Sequence, residues 1–175
     1  MVLVMSKLKA ALRATAAALV LAGVNAMAPQ AVAVDGPVVQ VASDADAVTK
    51  AIARTAPEAT AAAANVCGAD YTLSKGIPLP LGTDPSLRLG TLFAYENGGN
   101  GCVILDNNYG SAQYMYLKVC KVGGTSCDTD TGNFSSYAGP VYVNSFACAP
   151  VTAKMGKSSS SLYIDYKSDR VFPCG

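Results

Sequence analysis

The clearest hydrophobic pattern in the chain lies between Gln113 and Cys120. Gln113, Met115, Leu117 and Val119 alternate with Tyr114, Tyr116, Lys118 and Cys120. A period of two puts these sets on opposite faces of a strand. Gly123-Gly124 follows and supplies the positive φ angles of a tight hairpin turn. With that turn, Val122 lies opposite Thr125, Lys121 opposite Ser126 and Cys120 opposite Cys127. Directly opposed strand residues have Cα atoms roughly 4.5–5.5 Å apart, within disulfide reach.

Weaker patterns of the same kind run from Val66 to the end. Ala69–Ser74 alternates as a first strand. Ile77-Pro78-Leu79-Pro80-Leu81 is barred from an inner strand, because each proline lacks an amide donor. Leu87, Leu89, Thr91, Phe93 and Tyr95 form one face of a second strand, and Cys102–Leu105 is a third. Val141–Val143 makes another, starting after Pro140. Residues 147–153 and 161–166 pair across Gly156-Lys157-Ser158, with Leu162, Ile164 and Tyr166 facing one way. Roughly seven or eight short strands, with turn signals at intervals of about 8–12 residues, predict an all-β antiparallel sandwich or barrel over residues 66–175.

The first 65 residues read differently: alanine dominates and aromatic residues are absent. Lys7, Lys9 and Arg13 precede the apolar run Ala14–Val24, and Ala31-Val32-Ala33 follows. Basic, apolar and small residues in that order are the layout of a secretory signal peptide, here residues 1–33 with cleavage after Ala33. Residues 34–65 read as a flexible, Ala-rich linker with short helices. Ser43 caps one through Arg54, and Thr55-Ala56-Pro57-Glu58 has capping-box spacing for a second. Isolated helices under roughly 12–15 residues are marginal in water, so no second domain is expected there.

Composition narrows the chemistry. The chain carries 13 Lys+Arg and 12 Asp+Glu, without the basic excess of a nucleic-acid binder. Histidine is absent, which removes His-based catalytic triads and the commonest zinc ligand. The six cysteines, Cys67, Cys102, Cys120, Cys127, Cys148 and Cys174, all lie in the β-rich part. An even number behind a signal peptide predicts three disulfides, and their spacing does not match the Cys-x₂₋₄-Cys pairs of zinc sites. Cys120–Cys127 follows from the hairpin. The other four cysteines leave three pairings open, among which 67–102 with 148–174 is favoured.

Further candidates are few. Asp128–Asn133 has two acids at calcium-loop spacing, but Gly132 and Gly139 fall where an EF-hand needs an oxygen ligand and a glutamate. It reads as a solvated loop, and neither metal nor cofactor is expected. Tyr114, Tyr116, Tyr142, Tyr163 and Tyr166 are candidates for an exposed aromatic face, with Tyr114, Tyr142 and Tyr163 the foremost ligand contacts. Aromatics are also ordinary strand formers that pair across sheets. The carboxylates Asp70, Asp84, Glu96, Asp106, Asp165 and Asp169 show no spacing that pairs two for glycoside hydrolysis.

Val66-Cys67-Gly68, Asn100-Gly101-Cys102-Val103, Tyr137-Ala138-Gly139-Pro140-Val141-Tyr142-Val143 and Cys174-Gly175 carry a resemblance. On these residues the chain resembles the spore-associated protein A family of streptomycetes and relatives, over residues 66–175. It departs from that pattern by its extra Cys120/Cys127 pair and by lacking tryptophan. The resemblance implies a small secreted protein recovered with spores or aerial cells, with no catalytic residues to carry over. The expectation is therefore a secreted, non-enzymatic structural or binding module of the cell or spore surface. Its expected partners are wall or coat components, not nucleic acid and, after signal cleavage, not membrane. The alternative is an inhibitor or modulator of secreted hydrolases presenting an exposed loop such as Ala149–Lys157.

Overall fold

A computed structural model describes residues 38–174, so the signal-peptide reading of residues 1–33 lies outside the described part. Two helices come first, α1 (Ala47–Thr55) and α2 (Pro57–Cys67), followed by eight strands. These are β1 (Thr72–Leu79), β2 (Gly90–Asn97), β3 (Asn100–Asn107), β4 (Gln113–Cys120), β5 (Cys127–Phe134), β6 (Tyr137–Asn144), β7 (Val151–Ser158) and β8 (Ser161–Ser168). They form two four-stranded antiparallel sheets: sheet A in the order β1-β2-β3-β6, and sheet B in the order β5-β4-β7-β8. Of the antiparallel sandwich or barrel expected from the strand pattern, the sandwich is the architecture found.

The inward faces of the two sheets share one core. Leu92, Ala94, Val103 and Leu105 of sheet A meet Met115, Leu117, Val119, Val151, Ala153, Met155 and Ile164 of sheet B. The alternation read in β4 is realised, with its odd-numbered residues buried and Tyr114, Tyr116 and Lys118 half-buried on the other side. The hairpin keeps its register, Cys120 opposite Cys127. Its tip is longer than two residues: the amide of Lys121 donates to Ser126 O (2.8 Å), and Gly124 N closes an inner turn on Lys121 O (2.9 Å).

The central strands of sheet A, β2 and β3, are buried on both faces. Phe93, Tyr95, Cys102 and Ile104 point away from sheet B into a second, smaller cluster with Ile52, Ala63 and Cys67 of the helices. For residues 38–65 this corrects the reading as a linker, since their helices share a core with sheet A across the boundary read at residue 66. Thr49 and Ile52 lie one helical turn apart and are both buried. Ile52 rests on Gly76, where β1 has no side chain. Complete burial of such a side chain stabilises by roughly 1.5–3 kcal/mol. The alanines of α2 are a small-residue face lying against sheet A, not low-complexity filler. Asp46, not Ser43, caps α1, accepting from Thr49 N at 2.7 Å. The capping box at Thr55 does not form: Thr55 ends α1, and Pro57 opens α2 without a side-chain cap.

Several strand limits also move. β1 runs through Pro78, which an edge strand permits. A bulge at Ser74 turns Leu73 toward the helices while Ile77 and Leu79 enter the inter-sheet core. Leu87 lies outside β2 in a 3₁₀ turn and is exposed. Asp128–Asn133 is not a loop but most of β5, and Pro140 sits inside β6 at a bulge opposite Ile104. Gly156-Lys157-Ser158 is the end of β7, and the turn falls beyond it, before β8.

The disulfides join Cys67–Cys102, Cys120–Cys127 and Cys148–Cys174. The first ties the end of α2 to β3. The second closes the β4–β5 hairpin. The third anchors the C-terminal tail, whose Phe172 packs beside Phe146 over Gly101.

Candidate functional site

Both edges of sheet A are closed by side chains and backbone. On β1, Leu73 N donates to Gln40 O (2.8 Å), and Gly76 N donates to Thr49 Oγ1 (3.0 Å). On β6, Gly139 N donates to Asp130 Oδ2 (2.7 Å), and Tyr142 N to Asp128 Oδ2 (2.8 Å). The two acids that resembled a calcium loop thus turn off β5 to satisfy amides of a neighbouring edge strand. Inward-pointing charges of this kind protect an edge from pairing with another chain. Among the described residues no group of three or more Cys, Asp or Glu is placed to hold a metal ion.

The outer face of sheet B is organised in cross-strand rows. Register places Thr129, Lys118, Thr152 and Lys167 side by side in one row, and Thr131, Tyr116, Lys154 and Asp165 in the next. A third row holds Asn133, Tyr114, Gly156 and Leu162. Tyr114 and Tyr116 are neighbours on β4, separated by about 7 Å along the strand. Lys154 lies 6.0 Å from the centre of the Tyr116 ring and 3.9 Å from Asp165. Both helices pack on sheet A, whereas the outward residues of β5 (Thr129, Thr131, Asn133) and of β8 (Asp165, Lys167) are exposed. The face is polar and hydrogen-bonding, with two tyrosines on its inner strand β4.

The five tyrosines do not share one face. Tyr114 and Tyr116 come together. Tyr142 belongs to sheet A, leans on Tyr71 at 6.5 Å and donates to Val66 O at 3.4 Å. Tyr166 pairs with Ala153, whose position points inward, and packs against the core. Tyr163 sits at the β7–β8 irregularity, donates to Gln113 Oε1 (2.9 Å) and stacks on Tyr109 at 5.3 Å. Sequence reading missed Tyr109, which lies in a loop outside any periodic pattern. It also missed the lysine rows, whose members come from three separate strands.

Asp106 stands on the helix-side face of β3 beside Thr91. Burial raises its carboxyl above the ordinary range, against the opposing pull of Asn108 and the Arg88 charge. Asn108 Nδ2 donates to Asp106 Oδ2 at 2.7 Å, Thr91 Oγ1 to Asn108 Oδ1 at 2.8 Å, and Arg88 Nε to Thr91 Oγ1 at 2.9 Å. The chain of bonds contains one acid, whereas glycoside hydrolysis works with two. A cleft of about 320 Å³ lies beside Asp46, Lys75, Arg170 and Phe172. Burial would raise the Asp46 carboxyl, but the hydrogen bonds from Lys75 and Thr49 prevail and hold it at about 2. Asp46 and Lys75 engage one another there, at the helix cap.

Fold and surface define a disulfide-stapled β-sandwich with one open polar face, a build that persists in oxidising compartments. Among curated proteins the chain is similar to spore-associated protein A of Streptomyces coelicolor, 33% identical over 89 residues. The match covers 49% of this chain and 53% of that protein, so the chain spans about half the length of the curated relative. The resemblance read in the sequence is borne out by that match. No family model matches, and no solved structure does.

Proposed function

We propose that this chain is an exported, non-catalytic module of the cell or spore surface, and that the outer face of sheet B is its contact surface. The observation that carries the reading is the placement of Tyr114 and Tyr116 side by side on a sheet face that neither helix covers. Three disulfides and the similarity to a spore-associated protein support an extracellular setting. The sequence, lacking histidine, supports a role without general acid–base chemistry of that kind. Fractionation of the producing culture into cytosol, medium, vegetative wall and spore coat tests the setting. Recovery in wall or coat is expected; recovery in cytosol would overturn it.

A second reading, an inhibitor of secreted hydrolases, loses the loop first assigned to it. Ala149–Lys157 is largely β7, an inner strand whose Val151, Ala153 and Met155 are buried. The exposed hairpin tip with Val122, clamped by Cys120–Cys127, takes its place as the loop such an inhibitor would present. Titrating secreted hydrolases with the purified protein tests this. Unchanged hydrolase activity at saturating protein would remove it.

A further inference from the structure

Charge is divided between the two halves of the domain. From residue 38 to 112, which form the helices and most of sheet A, acids outnumber bases seven to four. From residue 113 to 174 bases outnumber acids six to four. Two of those four acids, Asp128 and Asp130, are turned inward onto the edge of β6 and do not reach the outer face. Lys118, Lys154 and Lys167 are left on that face with Asp165 as its single acid. Neighbouring strands lie about 4.8 Å apart and alternate residues about 7 Å along a strand, so the three lysines stand within about 10–12 Å of one another.

The same face has a direction. Along β4 it runs Tyr114, Tyr116, Lys118, with the lysine row across its far end. Thr129, Thr131, Asn133 and Thr152 flank this track with short hydrogen-bonding groups. An extended polymer lying along β4 meets two aromatic rings, then clustered positive charge. Aromatic rings stack on the apolar C–H faces of sugar rings, hydroxyl and amide groups pair with hydroxyls, and ammonium groups attract spaced anions. Arginine, the residue suited to bidentate phosphate recognition, is absent from the rows.

We infer that the outer face of sheet B binds an acidic polysaccharide, with sugar rings on Tyr114 and Tyr116 and acidic groups on Lys118, Lys154 and Lys167. This rests on the reading of that face as the contact surface and adds the chemistry of the ligand.

The test measures binding of the exported chain to polygalacturonate, to neutral dextran and to a single-stranded DNA oligonucleotide. Polygalacturonate is expected to bind best, with affinity falling roughly tenfold between 50 and 300 mM salt as the lysine charges are screened. K118E/K167E should lose tenfold or more, and Y114A/Y116A several-fold, with melting temperatures near that of the parent. Equal or tighter binding of dextran or the oligonucleotide, or polygalacturonate binding untouched by K118E/K167E, would overturn the inference. Cosedimentation with purified walls and coats separates the two levels. If the parent sediments and Y114A/Y116A does not, but polygalacturonate fails to bind, the ligand class alone is wrong. If Y114A/Y116A sediments like the parent, the contact face itself is wrong.

Discussion

Single side chains decide how this sandwich ends. Asp130 and Asp128 each answer an amide of β6 that has no strand beyond it. Removing an acceptor from a part-buried amide costs roughly 1–3 kcal/mol. Asp130→Ala should therefore lower the melting temperature by several degrees, and Asp130→Asn, which keeps a carbonyl oxygen, by less; thermal unfolding checks both. Gly139 works beside it. Its φ of +105° is costly for other residues, and a Cβ there would come within 2.8 Å of Val103 O. Asp46 acts through pH. Its folded value of about 2 lies below the ordinary 3.8, so its contribution is full above pH 3.8 and is lost as pH falls toward 2. The carboxylate is 44% exposed, so solvent screening holds the effect to about 1 kcal/mol or less. Urea unfolding at pH 5 and pH 2.5 should show this loss in the parent and not in Asp46→Asn.

At the scale of elements, the disulfides differ in what they hold. The Cys67–Cys102 and Cys148–Cys174 bridges span 35 and 26 residues, and Cys120–Cys127 spans 7. Loop entropy alone assigns about 3.5–4 kcal/mol to each long bridge and about 2.4 kcal/mol to the short one. Replacing Cys120 and Cys127 by serine should leave a folded domain with a modestly lower melting temperature. Met115, Leu117 and Val119 keep β4 in the core without that bridge. Replacing Cys67 and Cys102 should cost more and expose α1 and α2 to protease first, which limited proteolysis with peptide mapping reads directly. The β4 hairpin was legible because period, turn glycines and cysteines agreed. The two short helices could be read, but not their docking, because their buried face is made of Ala, Thr, one Cys and one Ile, and the surface they need belongs to strands far along the chain. β2 misled in a related way. Its run from Gly90 to Tyr95 is buried on both faces, and period-two reasoning sees only one of them.

For the molecule as a whole, fold class was legible and the surface was not. Strand count and cysteine parity suffice for a stapled β-sandwich. The rows on sheet B join β5, β4, β7 and β8, and register across four strands is invisible to a linear reading. Near-neutral net charge likewise concealed the division between an acidic helix-bearing half and a basic open face. Tyrosines chosen for exposure fell on different surfaces, since neighbours in sequence pattern were not neighbours in space. The central claim is that Tyr114 and Tyr116 mark the surface by which this chain holds to the cell or spore exterior. Cosedimentation of the purified chain with isolated walls and spore coats, parent against Y114A/Y116A, tests it most directly. Retention of the parent, with at least a several-fold loss for the variant at unchanged circular dichroism, is the predicted result. Equal retention of the two proteins would contradict the claim.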